Sequence, residues 1–329
     1  MSITSGIPNL TRTLQWSAEL KESLKDELYA QGFVRWLTDF PDGDTFKIPS
    51  IGDATVRDYV EDTPIVYDSL QTGNFDFSIN QYKQSGIYIT KKAQQDLFYA
   101  NQLEASFVPK QARALAEVVE TDILALASAQ VAAGGPLQQT GVANAINGVA
   151  HRFAATGTLP LAGVFTIADF AKAAFALKKA NVPDQALIAI VDPSVEYLIN
   201  TLSNLIAVNG GGAGAPMWGD LLQNGIGAGF RFVRNIYGFD VYTTNYLPQS
   251  GIGGTLGAEF GVTTSVANIF MSAASPEIVP FIGAWRQDPE VEAEANKDLQ
   301  RVEYLTTARY GLKLYRPENL VTVISNVTV

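Results

Sequence analysis

The sequence predicts an α+β fold in which β-rich segments flank one long helix and a compact α/β region. Three observations predict this. Residues 44–91 are β-branched and aromatic with partial alternation, residues 92–133 carry a helical stripe, and an αβα pattern begins after residue 160. With 329 residues, the chain is long enough for roughly two domains.

Residues 1–43 predict an N-terminal arm. Trp16, Leu20, Leu24 and Leu28 recur at four-residue steps and form one apolar stripe on a short helix. A stripe this narrow on a terminal segment needs another surface, from its own chain or from a neighbouring copy.

Residues 44–91 predict a long two-stranded excursion. Phe75, Phe77 and Ile79 fall on one side of the returning strand, with polar residues between them. The two strands bracket a polar tip at residues 60–72. Because a two-stranded ribbon is only marginally stable in water, we expect another surface to hold it.

The helix predicted over residues 92–133 has apolar residues at steps of three or four and charged residues on its other faces. Pro109 is expected to break or kink it, so its regular part should begin there. The apolar positions are Ala112, Leu115, Val119, Ile123 and Leu126, and the charged ones are Lys110, Arg113, Glu117 and Glu120.

Short sequence motifs predict helix starts, strands and a turn in the rest of the chain. Thr166 and Asp169 have the spacing of a capping box, and residues 186–191 (ALIAIV) predict a buried strand. Asp192-Pro193 then predicts a helix start, and Tyr237-Gly238 predicts a hairpin turn. Two further strands are expected on either side of Arg316-Pro317.

Catalytic and metal-binding patterns are weak. His151 is the single histidine and the chain has no cysteine. The sequence also lacks the G-x-S-x-G motif that carries a nucleophilic serine. We therefore interpret His151 as structural or solvent-exposed. The Gly-rich run at residues 210–215 lacks the Lys of a phosphate loop, so it predicts a flexible loop.

Two acidic features have a simpler interpretation than a binding site. Asp288, Glu290, Glu292 and Glu294 lack the spacing of a calcium loop, so they predict a solvated charge run. Asp192 follows a buried strand, where α/β enzymes place catalytic groups, but the proline after it favours helix capping.

The overall charge of −10, without a run of Lys or Arg, argues against sequence-independent binding of phosphates. The N-terminus has no basic region followed by an apolar run, so no signal peptide is predicted. The aliphatic runs are too short to span a bilayer.

The order of segments resembles the tailed-bacteriophage major capsid proteins with the Hong Kong 97-type fold. The local phrases that carry the resemblance are residues 189–198 (AIVDPSVEYL), 232–242 (FVRNIYGFDVY) and 310–318 (YGLKLYRPE). They occur together and in this order, and the resemblance covers nearly the whole chain.

The resemblance implies a set of segments with assigned roles. Residues 1–43 would be the arm and 44–91 an extended loop that reaches over a neighbouring subunit. Residues 92–159 would form a peripheral domain with a spine helix, 160–285 an axial domain, and 286–329 the return to the peripheral sheet. The candidate contacts between subunits are Trp16, Leu20, Leu24, Val60, Pro64, Tyr67, Gly210, Gly211 and Gly212.

The resemblance also implies partners but no enzyme activity and no cofactor. Hexamers and pentamers of the chain would build an icosahedral shell around double-stranded DNA, in a virion assembled in the host cytoplasm. No scaffold extension precedes the arm, so a separate scaffolding protein is implied, together with a portal protein and a possible decoration protein. Two alternatives stay open: an encapsulin-like nanocompartment shell, and an α/β enzyme that would use Asp192.

Overall fold

The computed structural model describes residues 28–38, 45–51, 56–62, 64, 67, 72–96, 100–128, 145–158, 163–200, 235–251, 256–262 and 264–327. The helices are α1 (Lys91–Asp96), α2 (Ala100–Ser128), α3 (Ile167–Lys179) and α4 (Pro193–Asn200). The strands are β1 (Val34–Leu37), β2 (Thr45–Ile51), β3 (Thr72–Ser78), β4 (Gln81–Thr90), β5 (Arg152–Ala154), β6 (Leu187–Val191), β7 (Asn235–Ile236), β8 (Phe239–Thr243), β9 (Gln249–Ser250), β10 (Ser265–Ser272), β11 (Phe281–Asn296), β12 (Arg301–Leu314) and β13 (Val321–Asn326).

A four-stranded sheet in the order β1-β11-β12-β4 forms one half of the fold. Strands β11 and β12 make a long antiparallel hairpin, and β4 pairs antiparallel with β12 over its whole length. Strand β1 pairs parallel with β11 through Phe281 to Ala284 alone. We call this the hairpin sheet.

A seven-stranded sheet in the order β5-β13-β10-β6-β8-β7, with β9 beside β10, forms the other half. Helices α3 and α4 pack on one face through a core that includes Phe170, Val195 and Phe239. Helix α2 packs against the opposite face through Ile123 and Leu124, in a cluster that also contains Tyr310 of the hairpin sheet. The two sheets therefore share one core.

Several local predictions are confirmed. The Asp169 carboxylate accepts the Thr166 backbone N–H at 2.8 Å and completes a capping box at the start of α3. Strand β6 is buried throughout. Tyr237 and Gly238 have φ values of 50° and 84°, which the primed turn of a two-residue hairpin requires.

Helix α2 corrects the prediction for Pro109, because the helix begins at Ala100 and runs through the proline. Proline inside a helix costs about 3 kcal/mol, since it removes one backbone hydrogen bond and crowds the preceding turn. Pro109 is exposed, and the buried residues Leu115, Val119 and Ile123 fix the helix after it. Their packing offsets the local cost.

Two strands lie in a different place from the one predicted. Strand β4 was assigned to the excursion, but it pairs with β12 in the hairpin sheet, so the two-stranded ribbon consists of β2 and β3 alone. Strand β13 was expected to return to the peripheral sheet with β12. It pairs instead with β10 and β5 in the seven-stranded sheet.

Candidate assembly surfaces

The most exposed apolar surface of the described chain is the tip of the excursion, residues 56–62 with Pro64 and Tyr67. Val56 is 95% exposed, Tyr59 79%, Val60 62% and Tyr67 87%. Aromatic side chains this exposed are unusual on a monomer and are typical of contact surfaces. Three predicted contact residues, Val60, Pro64 and Tyr67, are exposed in this segment.

The other predicted contact residues lie outside the described part of the chain. These are Trp16, Leu20 and Leu24 in the arm and Gly210, Gly211 and Gly212 in the Gly-rich segment.

The base of the ribbon is anchored on its own chain, and strand β11 supplies the additional surface that the sequence analysis expected. Phe77 and Ile79 are buried against Ile282 and Ala284 of β11. Gly311 of β12 allows this close approach, because a Cβ there would lie 2.6 Å from the Ser78 carbonyl oxygen. The base of the ribbon is therefore fixed on the hairpin sheet, while its tip is exposed.

Lys313 strengthens this anchor from the side. Its Nζ atom donates a hydrogen bond to the backbone carbonyl of Asp76 at 2.6 Å and lies 4.7 Å from the centre of the Phe75 ring. The Phe75 ring in turn meets Tyr315 edge to face, with centroids 5.1 Å apart. These contacts fix β3 to β12.

A second exposed surface lies on the hairpin sheet, on the face that points away from helix α2. Tyr82 and Tyr88 of β4 and Leu305 of β12 project there and are exposed. We call these three residues the bare stripe. The Arg301 guanidinium lies over the Tyr88 ring at 4.6 Å, and the ribbon base covers the adjoining part of the same face.

The opposite face of the hairpin sheet is fastened to α2 by polar contacts. The Tyr310 hydroxyl donates to Asp122 at 2.7 Å, and Lys83 Nζ lies 3.1 Å from the same carboxylate. Burial, with the Asp122 hydrogen bond and charge, raises the pKa of Tyr310 above its usual range. Asp122 borders a cavity of 270 Å³ that Asn80, Gln81 and Leu312 also line.

The end of the arm is tied down by Glu120, which sequence reasoning placed on a charged face of α2. It is fully buried, and its carboxylate accepts the backbone N–H groups of Tyr29 at 2.8 Å, Ala30 at 2.7 Å and Gln31 at 3.3 Å. The carboxylate thus satisfies the first donors of the 3-10 helix Ala30–Phe33. No sequence motif near Glu120 predicts this contact.

Asp192 acts as a helix cap. One carboxylate oxygen accepts the Ser194 backbone N–H at 2.9 Å and its hydroxyl at 2.5 Å, and the other accepts Gln249 Nε2 at 3.1 Å. The capping interpretation is confirmed. Among the described residues, no group of three or more acidic or His side chains could hold a metal ion. No helix in those ranges has the length and apolar character needed to cross a bilayer.

His151 is fully buried, which confirms its structural interpretation, and its Nδ1 lies 3.1 Å from the Val149 carbonyl oxygen. Burial lowers its pKa from the usual 6.5, although Val149 and Glu318 oppose the shift.

We expect a pH-dependent loss of stability from this buried histidine. The unfolded chain binds a proton near pH 6.5 and the folded chain only at lower pH, so the free energy of unfolding should fall as the pH drops below about 6.5. Denaturant titrations at pH 7.5, 6.5 and 5.5 measure this. His151→Gln removes the only histidine and should flatten the pH dependence; an unchanged slope would contradict the assignment.

Comparison with known proteins identifies the family. A family model described as phage capsid protein matches residues 75–323. The chain belongs to the phage capsid protein family. The match runs from within β3 into β13, so it covers α2, the hairpin sheet except β1, and the seven-stranded sheet up to the start of β13 in this capsid-family chain. The resemblance drawn from the sequence phrases is confirmed.

Solved structures of phage particles share the fold. The chain is 18% identical to a chain from Mycobacterium phage Che8, covering 98% of each, with a TM-score of 0.62. It is 14% identical to a chain of the capsid of cyanophage P-SCSP1u, covering 94% of this chain and 92% of that one, with a TM-score of 0.65. It is 10% identical to a chain of the mature capsid of bacteriophage PhiM1, covering 96% of this chain and 92% of that one, with a TM-score of 0.64. No curated protein matched the sequence significantly.

Proposed function

We propose that this capsid-family chain is the major capsid protein of a tailed bacteriophage and assembles as hexamers and pentamers into an icosahedral shell. The observation that carries the proposal is the exposed tip of a ribbon whose base is fastened to its own chain. Because the base of the ribbon is fixed, the tip is preorganised and loses less conformational freedom when it binds.

The tip contacts a neighbouring copy in this proposal. Its Val56, Tyr59 and Tyr67 side chains seat on apolar surface of the next subunit, for which the bare stripe is the best candidate among the described residues. Single contacts of this size are weak, but each subunit makes several, so a closed shell is stable while wrong pairings dissolve. The same proposal includes the domain boundaries predicted from the sequence. It also places Gly210 at a contact near the axis of each hexamer or pentamer.

The shell encloses double-stranded DNA without sequence-specific binding. The net charge of −10 supports this, because a wall of that character does not hold phosphates. A separate scaffolding protein and a portal protein complete the assembly, which takes place in the host cytoplasm, and a decoration protein is a further candidate partner. In this proposal the chain has a structural role, which is supported by the cap that Asp192 forms on α4 and by the burial of His151.

Assembly of the purified full-length chain tests the function. We expect size-exclusion chromatography with light scattering to show hexamers or pentamers, and negative-stain electron microscopy to show shells, alone or after co-expression with the phage scaffolding protein. A small discrete oligomer that never forms capsomers would contradict the proposal. Shells that contain a cargo enzyme in place of packaged DNA would favour the nanocompartment alternative.

A further inference from the structure

The turn that leads into strand β5 carries an Asn-Gly pair. Ile146 and Val149 form an antiparallel bridge around Asn147 and Gly148, whose φ values are 48° and 79°. Positive φ at both central positions is the geometry of a two-residue hairpin turn, for which Asn-Gly is a preferred sequence. Both central residues are exposed, so water reaches them.

This turn is fastened to the end of helix α3. Asn147 Nδ2 donates a hydrogen bond to the Lys179 carbonyl oxygen at 2.9 Å. Lys179 is the last residue of α3, and carbonyls in the last turn of a helix have no donor within the helix. Asn147 therefore caps α3 from a position 32 residues earlier in the chain.

The same turn positions an edge of the seven-stranded sheet. Val149 packs against the core beneath α3, and its carbonyl oxygen lies 3.1 Å from Nδ1 of His151. The His151 carbonyl oxygen accepts the Thr322 backbone N–H at 2.8 Å, immediately before β5 pairs with β13. A change in the turn therefore acts on the start of β5.

The chemistry of an Asn-Gly pair makes Asn147 reactive. The Gly148 nitrogen can attack Asn147 Cγ after it loses its proton to hydroxide, because glycine has no side chain that crowds the approach. No described residue accepts a hydrogen bond from the Gly148 N–H. The attacking nitrogen is therefore not held in a bond that must break first.

We propose that Asn147 is a modification site at which the chain deamidates itself, independently of the proposed shell function. The Gly148 nitrogen forms a bond to Asn147 Cγ, the Cγ–Nδ2 bond breaks, and ammonia leaves with a proton taken from water. Water then opens the resulting cyclic imide at one of its two carbonyl carbons, which gives aspartate or isoaspartate at position 147. No electrons are transferred, and water is the only co-reactant.

Deamidation removes the contact that fastens the turn. A carboxylate cannot donate a hydrogen bond to the Lys179 carbonyl oxygen, and its negative charge lies at the negative end of the α3 dipole. Isoaspartate also routes the backbone through the side chain, which lengthens the turn. The start of β5 is therefore held less firmly in the aged chain.

Asn181 is a matched control within the same chain. It is exposed and has a φ of 59°, so its backbone resembles that of Asn147. The next residue is Val182, whose N–H donates to the Leu177 carbonyl oxygen at 3.1 Å and whose branched side chain crowds the nitrogen. Asn181 should therefore resist the reaction that Asn147 undergoes.

Peptide mapping by mass spectrometry measures the reaction. The folded full-length chain is aged at pH 7 and at pH 9, and each asparagine is followed separately, because residues 209–210 and 224–225 are also Asn-Gly pairs. We expect conversion to be about tenfold faster at Asn147 than at Asn181, since only Asn147 precedes a glycine, and faster at pH 9 than at pH 7. Equal rates at the two positions, no acceleration by base, or conversion at Asn147 only after denaturation would each overturn the proposal.

Two substitutions separate the lost hydrogen bond from the added charge. Asn147→Asp removes the donor to Lys179, whereas Asn181→Asp adds the same charge near the same helix end, where the side chain makes no hydrogen bond with a described residue. We expect the melting temperature to fall by about 2 °C in Asn147→Asp, as for the loss of one hydrogen bond in a chain of this size, and to change less in Asn181→Asp. Equal melting temperatures for the two variants would overturn the link between deamidation and the hold on β5.

Discussion

Deletion of residues 60–72 is expected to leave a folded subunit that forms no stable shells. The deleted segment includes Val60, Pro64 and Tyr67, all exposed, whereas the ribbon base buries Phe77 and Ile79 against β11. Among the deleted residues, none that the structure describes lies in the subunit core, while the contact between copies loses the Val60 and Tyr67 side chains. Thermal melting of the subunit and electron microscopy after co-expression with the scaffold measure the two effects.

A triple substitution makes the same test without shortening the chain. Tyr59→Ser, Val60→Ser and Tyr67→Ser together remove three side chains worth about 2 kcal/mol each when fully buried, so each contact weakens by about four orders of magnitude. Phe175→Ser is the matched control, because Phe175 of α3 is also an exposed aromatic residue but lies away from the tip. Normal, durable particles from the triple variant would refute the role of the tip.

Elements with local signals were predictable from the sequence. The capping box at Thr166, the Asp192 cap and the Tyr237-Gly238 turn each depend on residues within a few positions of one another, so their chemistry is visible in a short window. The buried strand β6 is a continuous apolar run and was equally clear. The capsid family itself was visible in three phrases that occur in order.

Features that depend on distant residues were not predictable. Strands β4 and β13 were identified as strands, but their partners β12 and β10 lie far away in the chain, and alternation alone does not name a partner. Glu120 looked like a surface charge on α2. Its burial depends on three backbone N–H groups some ninety positions earlier.

The candidate contact surfaces also divide into one that the local sequence predicted and one that depends on distant residues. The tip was located because it interrupts a β-rich segment with polar and Pro-containing sequence, and the structure shows Val60, Pro64 and Tyr67 exposed. The bare stripe was missed, since Tyr82, Tyr88 and Leu305 share a face only after β4 and β12 pair. The solvated charge run was predicted correctly, because Asp288, Glu290, Glu292 and Glu294 are all exposed.

The anchoring of the ribbon gives the second large prediction. Gly311→Ala should release the ribbon from the hairpin sheet, because the new Cβ would lie 2.6 Å from the Ser78 carbonyl oxygen and 3.0 Å from the Ile79 Cα, both backbone atoms that cannot rotate away. Overpacking of this kind costs about 1–3 kcal/mol. The tip sequence is intact in this variant, yet the tip loses its fixed position.

Gly86→Ala is the matched control for Gly311→Ala. Gly86 lies in β4 of the same sheet, and a Cβ there would meet the Leu305 side chain at 3.7 Å, an ordinary contact. We expect Gly311→Ala to lower the free energy of unfolding and the yield of shells, and Gly86→Ala to leave the free energy of unfolding nearly unchanged. Protease cleavage within the ribbon should rise in Gly311→Ala alone. Shell formation at the normal level with a loosened ribbon would show that a preorganised tip is unnecessary for assembly.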